Sequence, residues 1–268
     1  MPDALKLLCV MAHPDDETLG TGPTLVKYAR EGVETYLVTA TRGQRGYESD
    51  EPGPPPSEEL ARLREQELRS AAKILGLREV NFLDYIDGDL DKASPKEAIA
   101  KIVHHLRRIR PQVVITFGPD GAYGHPDHIA ISQFTTAAIL CAADPDYPEP
   151  AEVHRVSKLY HMVLVQRKAE LYIQAFGELI MDIDGVPRTP VIMPDWMVSA
   201  SLETADLWAT VMEAVYCHRS QLQDYGNLVK LPEAYHRKLW NCETYYRAFS
   251  LVNGGRTLER DLFEGLRE

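Results

Sequence analysis

From Leu5 to Ala142 the chain alternates short apolar runs with amphipathic stretches, and this alternation restricts the fold more than any other property of the sequence. Leu5–Ala12 is an apolar run of strand length. Thr18–Arg30 has helical spacing, and Gly32 supplies a stop. Val33–Thr41 is rich in β-branched residues and reads as a second strand. Ser57 offers an N-cap for a helix running to about Leu75, ahead of Gly76. Glu79–Leu83 is a third strand. Ser94, Pro95 and Glu97 open a helix that reaches about Arg108. Gln112–Phe117 is a fourth strand, apolar on both faces, and Pro126–Ala142 is a further helix. The expected fold is α/β and Rossmann-like: a doubly wound, mostly parallel sheet of strand order 3-2-1-4-5 with helices on both faces.

Beyond Ala143 the pattern changes. Lys158–Gln166 reads as a strand and Gly177–Ile192 as a small hairpin around Asp184-Gly185. Leu202–Ser220 and Glu233–Phe249 read as amphipathic helices. We expect a single domain over residues 1–268. Residues 1–143 form its Rossmann-like core, and 144–268 a smaller C-terminal α+β extension that completes the pocket. The stretch Asp144–Pro150 is a loop within that domain.

Composition excludes several partners. Lys and Arg total 29 against 40 Asp and Glu, a formal charge of −11, which argues against broad phosphate contacts with nucleic acid. No run approaches the ~20 apolar residues of a membrane span. Leu7–Ala12 is too short for a signal-peptide core, so a cytoplasmic location and no membrane partner are expected. Cys9, Cys141, Cys217 and Cys242 are scattered, without C-x-x-C spacing. They read as reduced thiols, mostly buried, which argues against a thiolate zinc site.

Two clusters carry the chemistry. Ala12-His13-Pro14-Asp15-Asp16-Glu17 follows the first strand, and Gly121-Ala122-Tyr123-Gly124-His125-Pro126-Asp127-His128 follows the fourth. Both therefore stand at carboxyl ends of strands, on either side of the point where strand order reverses and the ligand crevice lies. Imidazole and carboxylate suit Zn2+, with Fe2+ or Co2+ as alternatives, and catalytic zinc sites use three protein ligands. His13 and Asp16, three apart, can face one side of a starting turn, with His128 as the third ligand. Asp15 points elsewhere and is free to act on a water. A single His-Pro-Asp motif is more simply a helix cap, but two of them, each after a strand, point to a site.

The same residues resemble the PIG-L/LmbE-like zinc-dependent N-deacetylases, which remove acetyl from N-acetylglucosamine conjugates. The match rests on Ala12 to Glu17 and Tyr123 to His128. Looser agreement comes at Thr41-Arg42-Gly43, Arg64 to Leu68, Asp87-Gly88 and His218-Arg219-Ser220-Gln221. The resemblance implies His13, Asp16 and His128 as metal ligands and Asp15 as general base, with either Asp15 or His125 protonating the leaving amine. It implies His125 beside the scissile carbonyl, Asp127 holding the His125 ring, and Tyr123 as a mobile donor. Arg64 matches a position linked to substrate binding. Related enzymes are often homo-oligomers, an expectation that comes from the resemblance alone. One departure stands out: the family often reads Thr-x-Gly-Glu-x-Gly where this chain has Thr41-Arg42-Gly43-Gln44-Arg45-Gly46, so the glutamate is replaced by Gln44.

Arg42 and Arg45 join Arg64 as candidate substrate contacts, because a guanidinium fork suits hydroxyl, carboxylate or phosphate oxygens. Asp87 could bond sugar hydroxyls, although Asp87-Gly88 is also a turn signal. The loop from Gly43 to Ser57 is a candidate lid. The expected activity is removal of an N-acetyl group from an amino sugar or its conjugate. The alternatives are an amidase cleaving a larger acyl group from a thiol or sugar conjugate, and a non-catalytic metal- or sugar-binding protein. A nucleotide-binding oxidoreductase is argued against by Pro23 and Leu25, which break the Gly20-x-Gly22 run, and by the acidic pair Asp15 and Asp16.

Overall fold

The computed structural model describes residues 4–46, 57–183, 185–223, 225 and 227–267. Its N-terminal part runs β1 (Lys6–Met11), α1 (Asp16–Arg30), β2 (Glu34–Thr41), α2 (Glu58–Leu75), β3 (Glu79–Tyr85), α3 (Pro95–Ile109) and β4 (Val113–Phe117). A distorted turn, α4 (Gly121–Gly124), and a long helix, α5 (Pro126–Ala142), lead to β5 (Lys158–Met162). Then come β6 (Leu164–Val165), α6 (Gln166–Phe176), β7 (Met181–Ile183), β8 (Val186–Arg188) and β9 (Ile192–Met193). The chain finishes with β10 (Ala200–Glu203), α7 (Trp208–Val215), α8 (Glu233–Leu239) and β11 (Cys242–Ser250).

Seven strands form one sheet in the order β10-β11-β5-β4-β1-β2-β3. The expected 3-2-1-4-5 order is its parallel portion; β11 and β10 extend it in antiparallel fashion. β1 is flanked by β2 (Leu7 opposite Thr35) and by β4 (Leu7 opposite Val113), which places the order reversal between β1 and β4. Right-handed crossovers then put α1 and α2 on one face and α3 and α5 on the other. Leu7 to Met11 and Val113 to Ile115 have no exposed surface, as expected of parallel strands covered on both sides. Ser57 caps α2, its hydroxyl accepting the Leu60 N–H at 3.1 Å. All four cysteines are free, and Cys9 alone is fully buried. Among the described residues no helix is long and apolar enough to cross a membrane.

The C-terminal part departs from expectation in three places. Leu202–Ser220 is not one helix: α7 spans Trp208–Val215, and Leu202 belongs to β10. Glu233–Phe249 is not one helix either; α8 stops at Leu239 and β11 begins at Cys242. The aromatic-rich run Glu243-Thr244-Tyr245-Tyr246 suits a pleated surface, and pairing with β5 and β10 decides the outcome. The strand expected over Lys158–Gln166 is divided: β5 ends at Met162, β6 pairs with β9 in a separate two-stranded sheet, and α6 starts at Gln166. The hairpin is present as β7 and β8, while Asp184 lies outside the described residues. Of the candidate lid over Gly43 to Ser57, residues 47–56 lie outside them too.

The tail is anchored by a buried cluster. Glu259 Oε1 lies 2.6 Å from Lys158 Nζ and 2.9 Å from Arg247 Nη1, and it accepts from Asn253 Nδ2 at 2.6 Å. Oε2 accepts from the Tyr160 hydroxyl at 2.5 Å. Lys158 is 0 % and Glu259 1 % exposed. Burial alone would raise the Glu259 carboxyl, but the Lys158 and Tyr160 hydrogen bonds outweigh it and hold it below its ordinary range.

Candidate metal centre and catalytic site

The chain leaves β1 through Ala12, turns over His13-Pro14-Asp15 and enters α1. Asp15 sits at φ 105°, a sparsely populated conformation for a residue with a side chain. Two carboxylates hold this turn. Asp16 Oδ2 accepts the N–H groups of His13 (2.7 Å) and Ala12 (3.2 Å), and Glu17 Oε2 accepts that of Asp15 (3.0 Å). The acids around the helix start therefore satisfy amides that a bare N-terminus would leave unpaired.

His13 is gripped from behind. Its Nε2 lies 3.0 Å from Asp87 Oδ1 and 3.1 Å from Asp127 Oδ2. Carboxylates only accept, so Nε2 carries a proton, and in the neutral imidazole, the form that binds a metal, Nδ1 is left bare. Asp127 is itself fixed by the N–H groups of Gly88 (2.8 Å) and Leu90 (3.0 Å), and Asp87 by that of Arg45 (3.1 Å). Gln44 steadies the same loop, donating to the Tyr85 carbonyl and accepting the Asp87 N–H, each at 3.2 Å.

The bare Nδ1 of His13 faces His128 Nε2 at 3.1 Å. The Asp16 carboxylate lies 3.7 Å from the first and 3.5 Å from the second. Three ligands at about 2.0–2.1 Å from a tetrahedral ion stand roughly 3.3 Å apart, so this trio fits one face of such a site. Two other donor sets converge nearby: His13, His125 and His128, and His13, Asp87 and Asp127. The last is disfavoured because its histidine nitrogen holds a proton and both Asp127 oxygens already accept backbone N–H groups. Burial opposes charge on His13, but Asp87 and Asp127 hold it well above the ordinary histidine range, so an ion would take the place of a proton there. Burial pushes the Asp16 carboxyl up to about 7 against the opposing pull of His13, and burial drives His128 well below the ordinary histidine range. Both residues would hold a divalent ion in their deprotonated forms.

Positive φ at Gly121, Ala122 and Gly124 folds the second cluster over the first. His125 caps α5, its Nδ1 accepting the Asp127 N–H at 3.1 Å. Its ring stacks on His128 at 4.7 Å and meets His13 edge-on at 4.8 Å. Burial, then the charge on His13, pushes His125 down to about 4, so it is neutral at pH 7 with its proton on Nε2. Tyr123 stands edge-on to His125 and His128 at 5.9 and 5.2 Å. Asp127 does not hold the His125 ring with its carboxylate, as the resemblance implied. At the second position of α5 that carboxylate points to His13 and the Gly88–Leu90 loop, and only its backbone meets His125.

The expected substrate contacts have protein partners. Arg64 is 3 % exposed and donates to the carbonyls of Pro14 (2.7 Å) and Gly43 (3.2 Å) and to Asp15 Oδ2 (3.3 Å). A side chain at Gly43, whose φ is 67°, would collide with that guanidinium. Arg42 pairs with Glu65 and Asp84 and lies over the Phe82 ring. Arg45 reaches the Asp87 carbonyl and Asp89, both at 2.9 Å. Asp87 backs His13, as above.

The C-terminal part contributes Tyr225, which sequence reasoning missed, and gives the run His218 to Gln221 a place. The Tyr225 hydroxyl donates to Asp15 Oδ2 at 2.7 Å, so Oδ2 receives both Tyr225 and Arg64, while Oδ1 has no partner among the described residues. His218 Nε2 lies 3.1 Å from Glu17 Oε1 and from Thr18 Oγ1 beneath the Asp15 turn. Burial opposes charge on both, yet their pairing keeps His218 raised and Glu17 lowered. Ser220 bonds Glu67 through N–H and hydroxyl (2.8 and 2.7 Å), and Gln221 donates to the Gly46 carbonyl at 2.8 Å. The run His218 to Gln221 is thus a strap over the loops around the site. No spacing in the sequence signals Tyr225.

Residues 8–139 match the PIG-L family, described as GlcNAc-PI de-N-acetylase. A 1D-myo-inositol 2-acetamido-2-deoxy-alpha-D-glucopyranoside deacetylase of Streptomyces avermitilis is 32% identical, over 99% of this chain and 98% of that protein. A mycothiol S-conjugate amidase of Streptomyces coelicolor is 30% identical, over 100% and 99%. Among solved structures, a conserved protein of Thermus thermophilus superposes with a TM-score of 0.65 at 26% identity, covering 93% of this chain and 97% of that one.

Proposed function

Because the chain belongs to the PIG-L family of de-N-acetylating hydrolases, we propose that it hydrolyses the acetamide of an N-acetylglucosamine conjugate, of the GlcNAc–inositol kind named for its relatives. The observation that carries this reading is the meeting of His13 Nδ1, His128 Nε2 and Asp16 at ligand spacing, with the unpaired Oδ1 of Asp15 on the adjoining residue. Zn2+ is the proposed ion; when bound it acidifies water, from about 15.7 to about 7, and polarises the acyl oxygen.

The protein groups do the rest. Asp15, held at Oδ2 by Arg64 and Tyr225, takes a proton from the attacking water at Oδ1. His125 Nε2–H and the Tyr123 hydroxyl are the donors for the acyl oxygen as it gains charge, and one such donor is commonly worth about 3 kcal/mol of barrier. The proton on Asp15 then passes to the departing amine. Asp87 and Asp127 keep His13 in the tautomer that exposes Nδ1. In this reading Arg64 is a positioning residue for Asp15.

Acetate release from a GlcNAc–inositol conjugate by the zinc-loaded protein tests the proposal. Acetate and free amine in equal amounts are expected; bound zinc with no acetate from any N-acetylated amino sugar overturns it. A larger acyl group cleaved in preference to acetyl would favour the amidase reading that the Streptomyces coelicolor relative suggests. Replacing Asp87 by Asn should weaken zinc binding about 10–100-fold, the usual cost of losing a partner behind a ligand histidine. Competition against a chelator measures this, and unchanged affinity would show that Asp87 does not set the His13 ring.

A further inference from the structure

Among the described residues one cation at the site, Arg188, has no hydrogen-bond or ion-pair partner. Arg188, at the end of β8, stands against the His125 loop: its Nη1 and Cδ lie 3.4 and 3.6 Å from where a Cβ on Gly124 would be. The hairpin is fastened there by Val191, whose N–H donates to the Ala122 carbonyl at 3.1 Å. The Arg188 Nε is buried with no hydrogen-bond partner, and among the described residues the guanidinium forms no ion pair. The other arginines of this region differ. Arg64 is spent on two carbonyls and Asp15, Arg42 on Glu65 and Asp84, and Arg45 on Asp87 and Asp89.

A partly buried guanidinium without a partner is costly, and such a group in a native fold calls for a ligand. The nearby acids cannot serve. Asp87 and Asp127 are engaged with His13, Asp16 holds the turn, and Asp15 is held by Arg64 and Tyr225. Among the described residues no acid pairs with Arg188, a ligand can supply the counter-charge, and a guanidinium fork is matched best by the paired oxygens of a phosphate or carboxylate. Arg188 thus stands beside the Gly124–His125 segment, at the edge of the site.

We propose that Arg188 is a specificity-determining residue that binds an acidic group, phosphate or carboxylate, carried by the amino-sugar conjugate outside its acetamide. This rests on the deacetylase reading for the identity of the sugar, and it departs from the neutral GlcNAc–inositol named for the relatives in the group that the sugar carries. The binding test uses the zinc-loaded protein and ligands that lack the amide and cannot turn over: glucosamine, glucosamine 1-phosphate, glucosamine 6-phosphate and muramic acid. Calorimetry should show at least one acidic sugar binding about tenfold or more tighter than glucosamine. Arg188→Gln should remove that advantage and leave glucosamine binding and the melting transition unchanged, and Arg188→Lys should keep part of it. The position of the acidic group in the tightest ligand tells which source the site takes. The proposal is overturned if no acidic sugar binds better than glucosamine, or if the advantage survives Arg188→Gln. Acetate release from neutral conjugates without any acidic preference would leave the deacetylase reading standing and remove this one. Binding through Arg188 with no amide cleaved would do the reverse.

Discussion

Replacing Asp15 by Asn is expected to lower kcat about 10²–10⁴-fold, the usual worth of a positioned general base, while zinc content and KM stay close to those of the wild type. The substitution is nearly isosteric. An Asn carbonyl can still accept from Tyr225 and Arg64, so the turn at φ 105° keeps its support. What changes is the atom at Oδ1: an amide nitrogen cannot take a proton from water. Asp16, one residue on, bonds backbone amides through Oδ2 and is untouched, so the ion should remain. Full turnover by a zinc-loaded Asp15→Asn protein would remove Asp15 from the role of base. Loss of zinc together with activity would instead place Asp15 among the ligands.

The second large effect lies far from that centre. Replacing Glu259 by Ala is expected to cost about 3–5 kcal/mol of stability, because it strands the Lys158 ammonium in a fully buried site. Lys158 is on β5 and Glu259 on the tail that covers it, so the loss should loosen the link between β10 and the C-terminal segment, where Ser201 N–H donates to the Glu259 carbonyl at 2.9 Å. Urea unfolding at neutral pH measures this as a lower midpoint at unchanged slope. Replacing Lys158 and Glu259 together by apolar residues of similar size should recover much of the loss; an equal loss in the double variant would mean that packing, not charge, is responsible. The pH dependence follows from the direction of the shift. Glu259 is held below the ordinary glutamate value, so its contribution is complete above about pH 4.3 and is lost as pH falls through its lower folded value. Wild-type stability should therefore fall more steeply with acid than that of Glu259→Gln.

The parallel core was legible because each of its signals is local. Ser57 caps its helix through its own hydroxyl, and Val113–Phe117 is buried throughout because both faces are covered. The pairing of the two His-Pro-Asp clusters was legible through topology, since adjacent parallel strands bring the loops at their carboxyl ends together. What failed depended on partners remote in sequence. Cys242–Ser250 became a strand because β5 and β10 were there to pair with it. Asp127 turned to His13, 114 residues away, and not to His125, two residues away, because Gly88 and Leu90 offered its carboxylate two N–H groups there. Arg64 carried the right chemistry for a substrate, but the open turn at Gly43 left room for it to close onto Asp15. Tyr225 comes from a stretch with no periodic signal, and only the fold brings it to a residue 210 positions earlier.

The central claim is that one divalent ion sits on the bare Nδ1 of His13. Crystals of the zinc-loaded protein, measured on both sides of the zinc absorption edge, test it most directly. A single anomalous peak is expected about 2.0–2.2 Å from His13 Nδ1, His128 Nε2 and an Asp16 oxygen, with Asp15 outside bonding range. A peak on the other side of the ring, between His13 Nε2, Asp87 and Asp127, would contradict it.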